Sequence, residues 1–447
     1  MKRSRRKFVR QGAALAGLGL FSGLPLELIA ARRKTIAPSE KIRFGLIGAN
    51  SMGWVNMRSH LQLDEVDCVA ICDVDQRVLD RRCADAETIT GKKPDQYKDY
   101  RKLLDRQDID AVIIGTPDHW HCRIMVDACA AEKDVYVEKP LANSITECKL
   151  MQRAASQYGR IVQVGQWQRS GRHYADAIDY VRSGKLGKIS LVKVWAYRAG
   201  VGAIEPKPDS PVPEGVDYQM WLGPAPERPF NENRFHFSFR WYWDYAGGLM
   251  TDWGVHEIDI ALFAMNASAP KSVVASGGKF AYPEDAAQTP DTLQAIFEYD
   301  DFNMLWEHST GVNTGNYGRG EGIAFIGDDA TLVVNRQGWE LIPETDTEDG
   351  RRSYRVDAIP EQPRVGDPLV EHARNFVDAL SSRKVEDLKC GVDSGSVAAI
   401  NAHMGNIAFR TGRKIYWDAQ KGLFRDDAEA SALITPEYHH GWKLPSF

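Results

Sequence analysis

Cysteine is scarce in this 447-residue chain, and its number is odd: seven. Cys68, Cys72, Cys83, Cys122, Cys129, Cys148 and Cys390 follow no zinc-ligand spacing and no disulfide framework. No metal site is therefore expected, and buried free thiols are the favoured reading. An excess of positive charge is lacking too. Lys and Arg total 56 against 61 Asp and Glu, a formal net charge of -5, which argues against a nucleic-acid surface. Internal repeats and low-complexity segments are absent. No run is long and apolar enough for a confident membrane span. What is present is a 43% hydrophobic content, enough for sizeable cores, in a chain too long for one ordinary domain. Twelve tryptophans and sixteen tyrosines are many. Such rings serve carbohydrate sites, but also ordinary cores, and decide nothing alone.

The first 34 residues read as a leader outside the fold. Ser4-Arg5-Arg6-Lys7-Phe8-Val9 precedes a mildly apolar, glycine-rich run, Gly12-Ala-Ala-Leu-Ala-Gly-Leu-Gly-Leu20. This resembles a twin-arginine export signal, which implies transient membrane contact and a periplasmic destination. Leu28-Ile-Ala30 offers a cleavage site, with Arg32-Arg33-Lys34 just after it, and an uncleaved anchor remains open. The twin-arginine route carries folded proteins, which suits a chain not stapled by disulfides.

Residues 41–165 read as a dinucleotide-binding unit. Lys41-Ile-Arg-Phe-Gly-Leu-Ile-Gly48 is an apolar strand running into Gly48-Ala49-Asn50-Ser51-Met52-Gly53. The usual fingerprint is G-x-G-x-x-G, and Asn50 replaces its middle glycine. Asn tolerates positive φ best after Gly, so the turn can form. A helix starting near Ser51 would offer N–H groups to a pyrophosphate. Asp67-Cys-Val-Ala-Ile-Cys-Asp73 is the second strand, and Asp73 stands where an acid accepts the ribose hydroxyls. A carboxylate there repels a 2′-phosphate, so NAD is expected over NADP. Strands at 111–116, 135–137 and 161–165 alternate with helices, which implies a parallel, doubly wound sheet. Ligands bind beyond the carboxyl ends of such strands. The strand Val135-Tyr-Val137 ends in Glu138-Lys139-Pro140, where Pro140 stops ladder pairing. Lys139 is thus placed on the rim that carries the glycine loop.

Residues 166–420 change character. A helix to about 183 and a long strand at 189–197 precede a Pro- and Gly-rich loop from 198 to about 229, of the kind that forms lids or partner contacts. Strands at 272–280, 292–299, 303–309, 322–326, 331–335, 339–342 and 353–357 follow in series, a mostly antiparallel sheet. Two helices lie near 369–382 and 394–411, and 421–447 reads as an extended tail. One helix interrupts the strands, beginning near Gly247. Asp252, His256 and Asp259 fall on one of its faces at i, i+4 and i+7. A carboxylate one turn before an imidazole can orient it as a general base.

The glycine loop, Glu138-Lys139-Pro140 and the Asp252–His256 pair occur in this order, and together they resemble the Gfo/Idh/MocA oxidoreductases over residues 42–418. The resemblance implies an α/β Rossmann domain followed by an α+β domain with a large open sheet. It maps the family's lysine, aspartate and histidine onto Lys139, Asp252 and His256. It implies NAD contacts at Gly48, Asn50, Ser51, Met52, Gly53, Asp73, Thr116, Pro117, His121, Glu138, Lys139 and Gln166. It implies a homo-oligomer, a dimer or tetramer paired through the open sheet. The expected reaction moves a hydride between a secondary hydroxyl of a sugar, polyol or glycoside and the nicotinamide. His256 takes the hydroxyl proton, and Lys139 stabilises the developing alkoxide. Arg169, His173 and Tyr174 are candidates to hold further hydroxyls. Because no free NAD pool is expected outside the cytoplasmic membrane, the cofactor is expected not to dissociate. Two alternatives stand beside this one. One is redox-neutral glycoside cleavage by transient oxidation and elimination. The other is a non-catalytic NAD-binding sensor or scaffold. The superfamily's NAD-dependent α-N-acetylgalactosaminidases depart from Glu-Lys-Pro, so Glu138-Lys139-Pro140 leans toward plain oxidoreduction.

Overall fold

The computed structural model describes residues 24–34, 36–349 and 351–447. The twin-arginine motif at residues 4–9 and the apolar run at 12–20 lie outside the described residues.

Six parallel strands form the first sheet: β1 (Ile42–Ile47), β2 (Val66–Cys72), β3 (Asp95–Tyr97), β4 (Ala111–Ile114), β5 (Asp134–Val137) and β6 (Val162–Val164). Their spatial order is β3-β2-β1-β4-β5-β6. The order reverses between β1 and β4, and the crevice beyond their carboxyl ends is where a doubly wound sheet takes its ligand. β4 and β5 are buried at every position because helices cover both faces, and Ala111-Val-Ile-Ile114 accordingly reads as an unbroken apolar run. Local chemistry sets the helix ends. Asp75 accepts the Arg77 N–H at 3.0 Å and opens the helix Gln76–Thr90, which Gly91 closes at φ 73°.

The second sheet has ten strands. Nine are in the main succession: β7 (Leu191–Tyr197), β8 (Ser272–Gly278), β9 (Thr292–Glu298), β10 (Asn303–Ser309), β11 (Glu321–Ile326), β12 (Ala330–Val334), β13 (Gly338–Pro343), then β16 (Ile359–Pro363) and β17 (Ile415–Asp418). The short β18 (Leu423–Phe424) pairs on β17 at the edge. The order is β16-β13-β12-β11-β7-β10-β9-β8-β17-β18. All neighbours are antiparallel except β7 and β10, which run parallel. β9 and β10 alternate buried and more exposed positions, so one face packs on the helices and the other is open. Ile296 and Val274 stand on that open face, 45% and 36% exposed.

Four expectations need correction. The leader does not end the story at residue 34. Leu26–Arg32 is a helix whose Ile29 is 1% exposed in the core beside Phe44 and Trp54. Arg33 then donates to the carbonyls of Leu61, Leu63, Asp64 and Val66. Apolar burial plus the four carbonyls that Arg33 serves explain why this stretch stays on the domain, and Leu28-Ile-Ala30 lies within that docked helix. The tail is not simply extended either. It carries β18 and the helix Ala428–Ala432, and Tyr438 donates to Glu147 Oε1 at 2.6 Å. The strand expected at 353–357 belongs instead to a hairpin, β14 (Thr345–Glu348) with β15 (Arg351–Tyr354), apart from the large sheet. Finally, the nucleotide domain is not complete at residue 165. The helix Pro368–Ser382 brings Phe376 against Phe44 and Tyr136.

Candidate active site

The glycine loop sits at the carboxyl end of β1, pressed on the end of β4. Gly48 has φ 80°, and a Cβ there would lie 2.6 Å from the Thr116 nitrogen. A Cβ on Gly53 would lie 1.9 Å from the Gly48 carbonyl oxygen. These approaches exclude any side chain. Positive φ falls on Ser51 (45°), not on Asn50 as expected. Asn50 instead lines the cavity, its amide 3.3 Å from His236 Nδ1. The helix Met52–His60 has no side-chain cap, and Ser51 Oγ and Thr116 Oγ1 are buried without a partner. A helix N-terminus with orphan hydroxyls beside it suits a pyrophosphate. The residues present therefore fit a dinucleotide. Asp73 closes the cradle: it accepts the Ala49 N–H at 2.8 Å and the Asp75 N–H at 3.0 Å. Burial pushes its carboxyl above the usual range, against those two hydrogen bonds.

A cavity of about 540 Å³ runs from this cradle toward the second domain. Gly48, Asn50, Ser51, Met52, Asp73, Thr116, Pro117, Glu138 and Lys139 line one side. Met220, Trp221, His236, Phe237, Phe239 and Arg240, from the long loop and the segment after it, line the other. That loop is anchored on the end of β2. Gln76 N–H donates to the Gly215 carbonyl and Asp217 N–H to the Val74 carbonyl, at 3.1 and 2.9 Å.

Lys139 leaves β5 through Glu138, whose own carboxylate is tied to Asn56 at 2.7 Å. The Lys139 ammonium donates to Asp252 Oδ1 at 2.7 Å and to the Asp252 carbonyl at 2.8 Å. Arg240 Nε donates to the same Oδ1 at 3.1 Å. Burial works against ionisation of Asp252, but Lys139 and Arg240 outweigh it and hold the carboxyl well below its usual range. Asp252 thus positions the lysine and not His256, which corrects the sequence expectation. The cause is backbone geometry: Met250–Gly254 is a π-helical turn, and its extra residue breaks the i, i+4 register between Asp252 and His256. His256 is 5% exposed and its Nδ1 has no partner. Burial, with the charges of Arg336 and Lys139, lowers its pKa well below the ordinary imidazole value, so it is neutral, and it stands behind Lys139 and does not itself line the cavity.

Other predicted residues are brought elsewhere. Asp259 is not on the catalytic face; its carboxylate forms a two-pronged pair with Arg169 at 2.8 and 2.7 Å, 1% exposed. Arg169 is thereby committed to the core. His173 Nε2 contacts the Asn335 carbonyl at 3.1 Å, and the Tyr174 hydroxyl meets Gln168 at 2.7 Å; both are buried away from the cavity. None of these three is placed to hold a substrate hydroxyl. His121 lies between the carbonyls of Pro140 and Thr116 behind the wall and, being neutral, donates to one of them, and Gln166 donates to the Val255 carbonyl at 3.3 Å. They support the cradle's backbone and do not face the cavity. Sequence reasoning missed Arg240 and Asp118. Arg240 lies in Phe235-His-Phe-Ser-Phe-Arg-Trp-Tyr-Trp243, an aromatic density that no motif explained. Asp118 lines the cavity at the start of its helix, pushed up to about 7 by burial against the opposing charges of Arg240 and Lys139.

Residues 42–166 match the Gfo/Idh/MocA oxidoreductase family's NAD-binding Rossmann fold, and residues 183–305 match its C-terminal alpha/beta domain. The chain belongs to the Gfo/Idh/MocA family. Among curated relatives of this Gfo/Idh/MocA chain, a glycosyl hydrolase family 109 protein of Shewanella pealeana is 32% identical over 205 residues. That match is 42% of this chain and 45% of the relative. An alpha-N-acetylgalactosaminidase of Shewanella oneidensis is 33% identical over 159 residues, 34% of this chain and 35% of its own length. The chain thus matches less than half the length of these relatives. Among solved structures, the WlbA dehydrogenase of Bordetella pertussis, with NADH and UDP-GlcNAcA, has a TM-score of 0.61 at 18% identity. It covers 85% of this chain and 99% of that one. Levoglucosan dehydrogenase, with NADH and levoglucosan, also gives 0.61 at 18% identity, over 84% and 99%. At such identities the likeness shows the shared Gfo/Idh/MocA fold.

Proposed function

We propose that this oxidoreductase moves a hydride between NAD and a secondary hydroxyl of a sugar, polyol or glycoside. One observation carries the reading: the Lys139 ammonium lines the cavity that begins at the glycine loop, held there by Asp252 at 2.7 Å. Gly48, Ser51, Met52, Gly53 and Thr116 would hold the pyrophosphate, and Asp73 the ribose. The bound nicotinamide supplies the hydride acceptor. The chain's own part is to present two groups to the hydroxyl. Lys139 donates a hydrogen bond to the reacting oxygen and stabilises its growing negative charge. Neutral His256 accepts the proton. A scaffold would need neither, which argues against a non-catalytic role. Redox-neutral glycoside cleavage stands as the second reading, supported by the family 109 relatives. There the ketone formed first acidifies the neighbouring C–H, and His256 or Asp118 serves as the proton acceptor.

The leader motif supports export, and with it a cofactor that stays bound through the cycle. Purification without added nucleotide, followed by dialysis, is expected to leave near-stoichiometric NAD in the native protein. Substoichiometric NAD, with activity restored only by millimolar addition, would overturn retention. A panel of sugars, polyols and aryl glycosides, read at the nicotinamide absorbance with product analysis, tests the chemistry. Oxidation without bond cleavage supports the first reading, and released aglycone without net reduction supports the second. Asp73→Ser is expected to weaken NAD binding and to relax discrimination against NADP, by direct titration. A preference for NADP in the unmodified protein would overturn the assignment of that strand end.

A further inference from the structure

The segment that follows the long loop runs along the cavity and is pinned at both ends. At the cradle end, His236 Nε2 lies 3.0 Å from Asp75 Oδ2 and its Nδ1 3.3 Å from the Asn50 amide. One tautomer serves both contacts: Nε2–H donates to the carboxylate, and Nδ1 accepts from Asn50. At the catalytic end, Arg240 donates to Asp252 Oδ1 at 3.1 Å. His236, Phe237, Phe239 and Arg240 all line the cavity.

The two partners of His236 belong to the nucleotide cradle. Asn50 is in the glycine loop, and the Asp75 N–H donates to Asp73, the ribose acid, at 3.0 Å. The backbone is set for this contact. His236 has φ 51°, a left-handed conformation that costs a side-chain-bearing residue free energy and persists where its surroundings hold it. Those surroundings are present. Asn231 and Asn233 donate to the carbonyls of Lys207 and Glu205, both at 2.9 Å, so the segment and the loop before it form one body. The same body bonds to the end of β2 through Gly215 and Asp217, which do not line the cavity. His236 does line it, and joins the two domains across it.

We propose that His236 is the latch of a lid over the cofactor, with Gly215–Asp217 as its hinge, and that opening the latch sets the rate at which NAD enters and leaves. This rests on the NAD-dependent reading and names what governs cofactor exchange. Both bonds of His236 join protein to protein. They oppose entry as much as exit, so retention is a matter of rate and not of affinity.

The test uses the protein purified with its own cofactor. Excess isotopically labelled NAD is added, and its exchange into the protein is followed by mass spectrometry. Occupancy after long dialysis against graded NAD gives the dissociation constant. His236→Ala removes one charge-assisted and one neutral hydrogen bond, and is expected to speed release by on the order of tenfold or more. The dissociation constant should change little, because a latch slows both directions. His236→Gln offers one donor and one acceptor, and is expected to restore part of the slow exchange. If His236→Ala does not fold, Asn50→Ala carries the same test with a smaller factor, since it removes one of the two bonds. Unchanged release overturns the proposal. So does faster release with a dissociation constant weakened by the same factor, which would make His236 a direct NAD contact or a structural support. If the protein takes up no labelled NAD at any concentration, it is the cofactor reading that fails, and the latch falls with it.

Discussion

Lys139→Ala is expected to keep its fold and its NAD and to lose turnover by on the order of a hundredfold or more. His256→Ala should lose a similar factor. The structure adds a finer distinction. Asp252 touches Lys139 and Arg240 and not His256. Asp252→Asn should therefore resemble the lysine variant, because it frees the ammonium and does not leave the imidazole in a wrong tautomer. Arg240→Gln should be milder, since one of two cations on Asp252 remains. The pH dependence follows from His256. Its pKa is lowered by burial and by the charges of Arg336 and Lys139, so it stays neutral as pH falls through the ordinary imidazole range. The acid limb of kcat/KM is expected well below pH 6.5, measured at pH values where the protein remains folded. Near-normal turnover in either alanine variant, or an acid limb near 6.5 that shifts in Asp252→Asn, would overturn these roles.

Mild acid is expected to weaken the fold. Burial lowers His60, His119, His121, His173, His308 and His403 from 6.5 to about 4, and His372 to about 3. His256 is lowered as well. In the unfolded chain these rings take up protons near 6.5, while in the fold they do not until about 4. Their contribution is complete above pH 6.5 and is lost as pH falls from there toward 4. Each costs up to about 1.4 kcal/mol per pH unit in that window. Seven carboxyls act in the opposite sense. Burial raises Asp118 and Glu147 to about 7 and Glu257 to about 8, and it raises Asp73, Glu138, Asp259 and Glu371 as well, so they favour the fold increasingly as pH drops toward their unfolded values. The eight histidines exceed them by one, so the net loss is at most about 1.4 kcal/mol per pH unit, a sizeable part of a stability of about 5–15 kcal/mol. Urea unfolding followed by circular dichroism should show a lower midpoint at pH 5 than at pH 7.5. An equal or higher midpoint at pH 5 would refute this.

Much of this architecture was legible. Ala111-Val-Ile-Ile114 could only be a strand buried on both faces, and Pro140 marked where β5 had to stop. The glycine loop was readable because its close backbone approach leaves no alternative residue. The pairing of charges was not readable. Arg169 and Asp259 each looked like site residues, but they neutralise each other across 90 positions, and no periodicity encodes that. The Asp252–His256 spacing misled for a local reason, since a π-helical turn spends one residue that the 3.6-residue period assumes. His173 and Tyr174 sit in a polar, aromatic stretch whose side chains turn inward, toward Asn335 and Gln168. Residues 24–34 were misassigned because basic residues near a stretch read as an export signal suggest solvent, whereas Arg33 serves four backbone carbonyls.

The helix Pro368–Ser382 bears on how the chain is made. Gln163 in β6 donates to the His372 carbonyl, 209 positions away, and His372 in turn contacts the Val164 carbonyl at 2.9 Å. Trp442 packs on Trp120, a wall of the cavity, with ring centroids 5.0 Å apart. The nascent nucleotide domain emerges from the ribosome with one flank bare, and it stays so until residues 368–382 and Trp442 have been made. A chain cut before Pro368 would leave Phe44 and Tyr136 without their Phe376 cover, even though its cofactor fingerprint is complete.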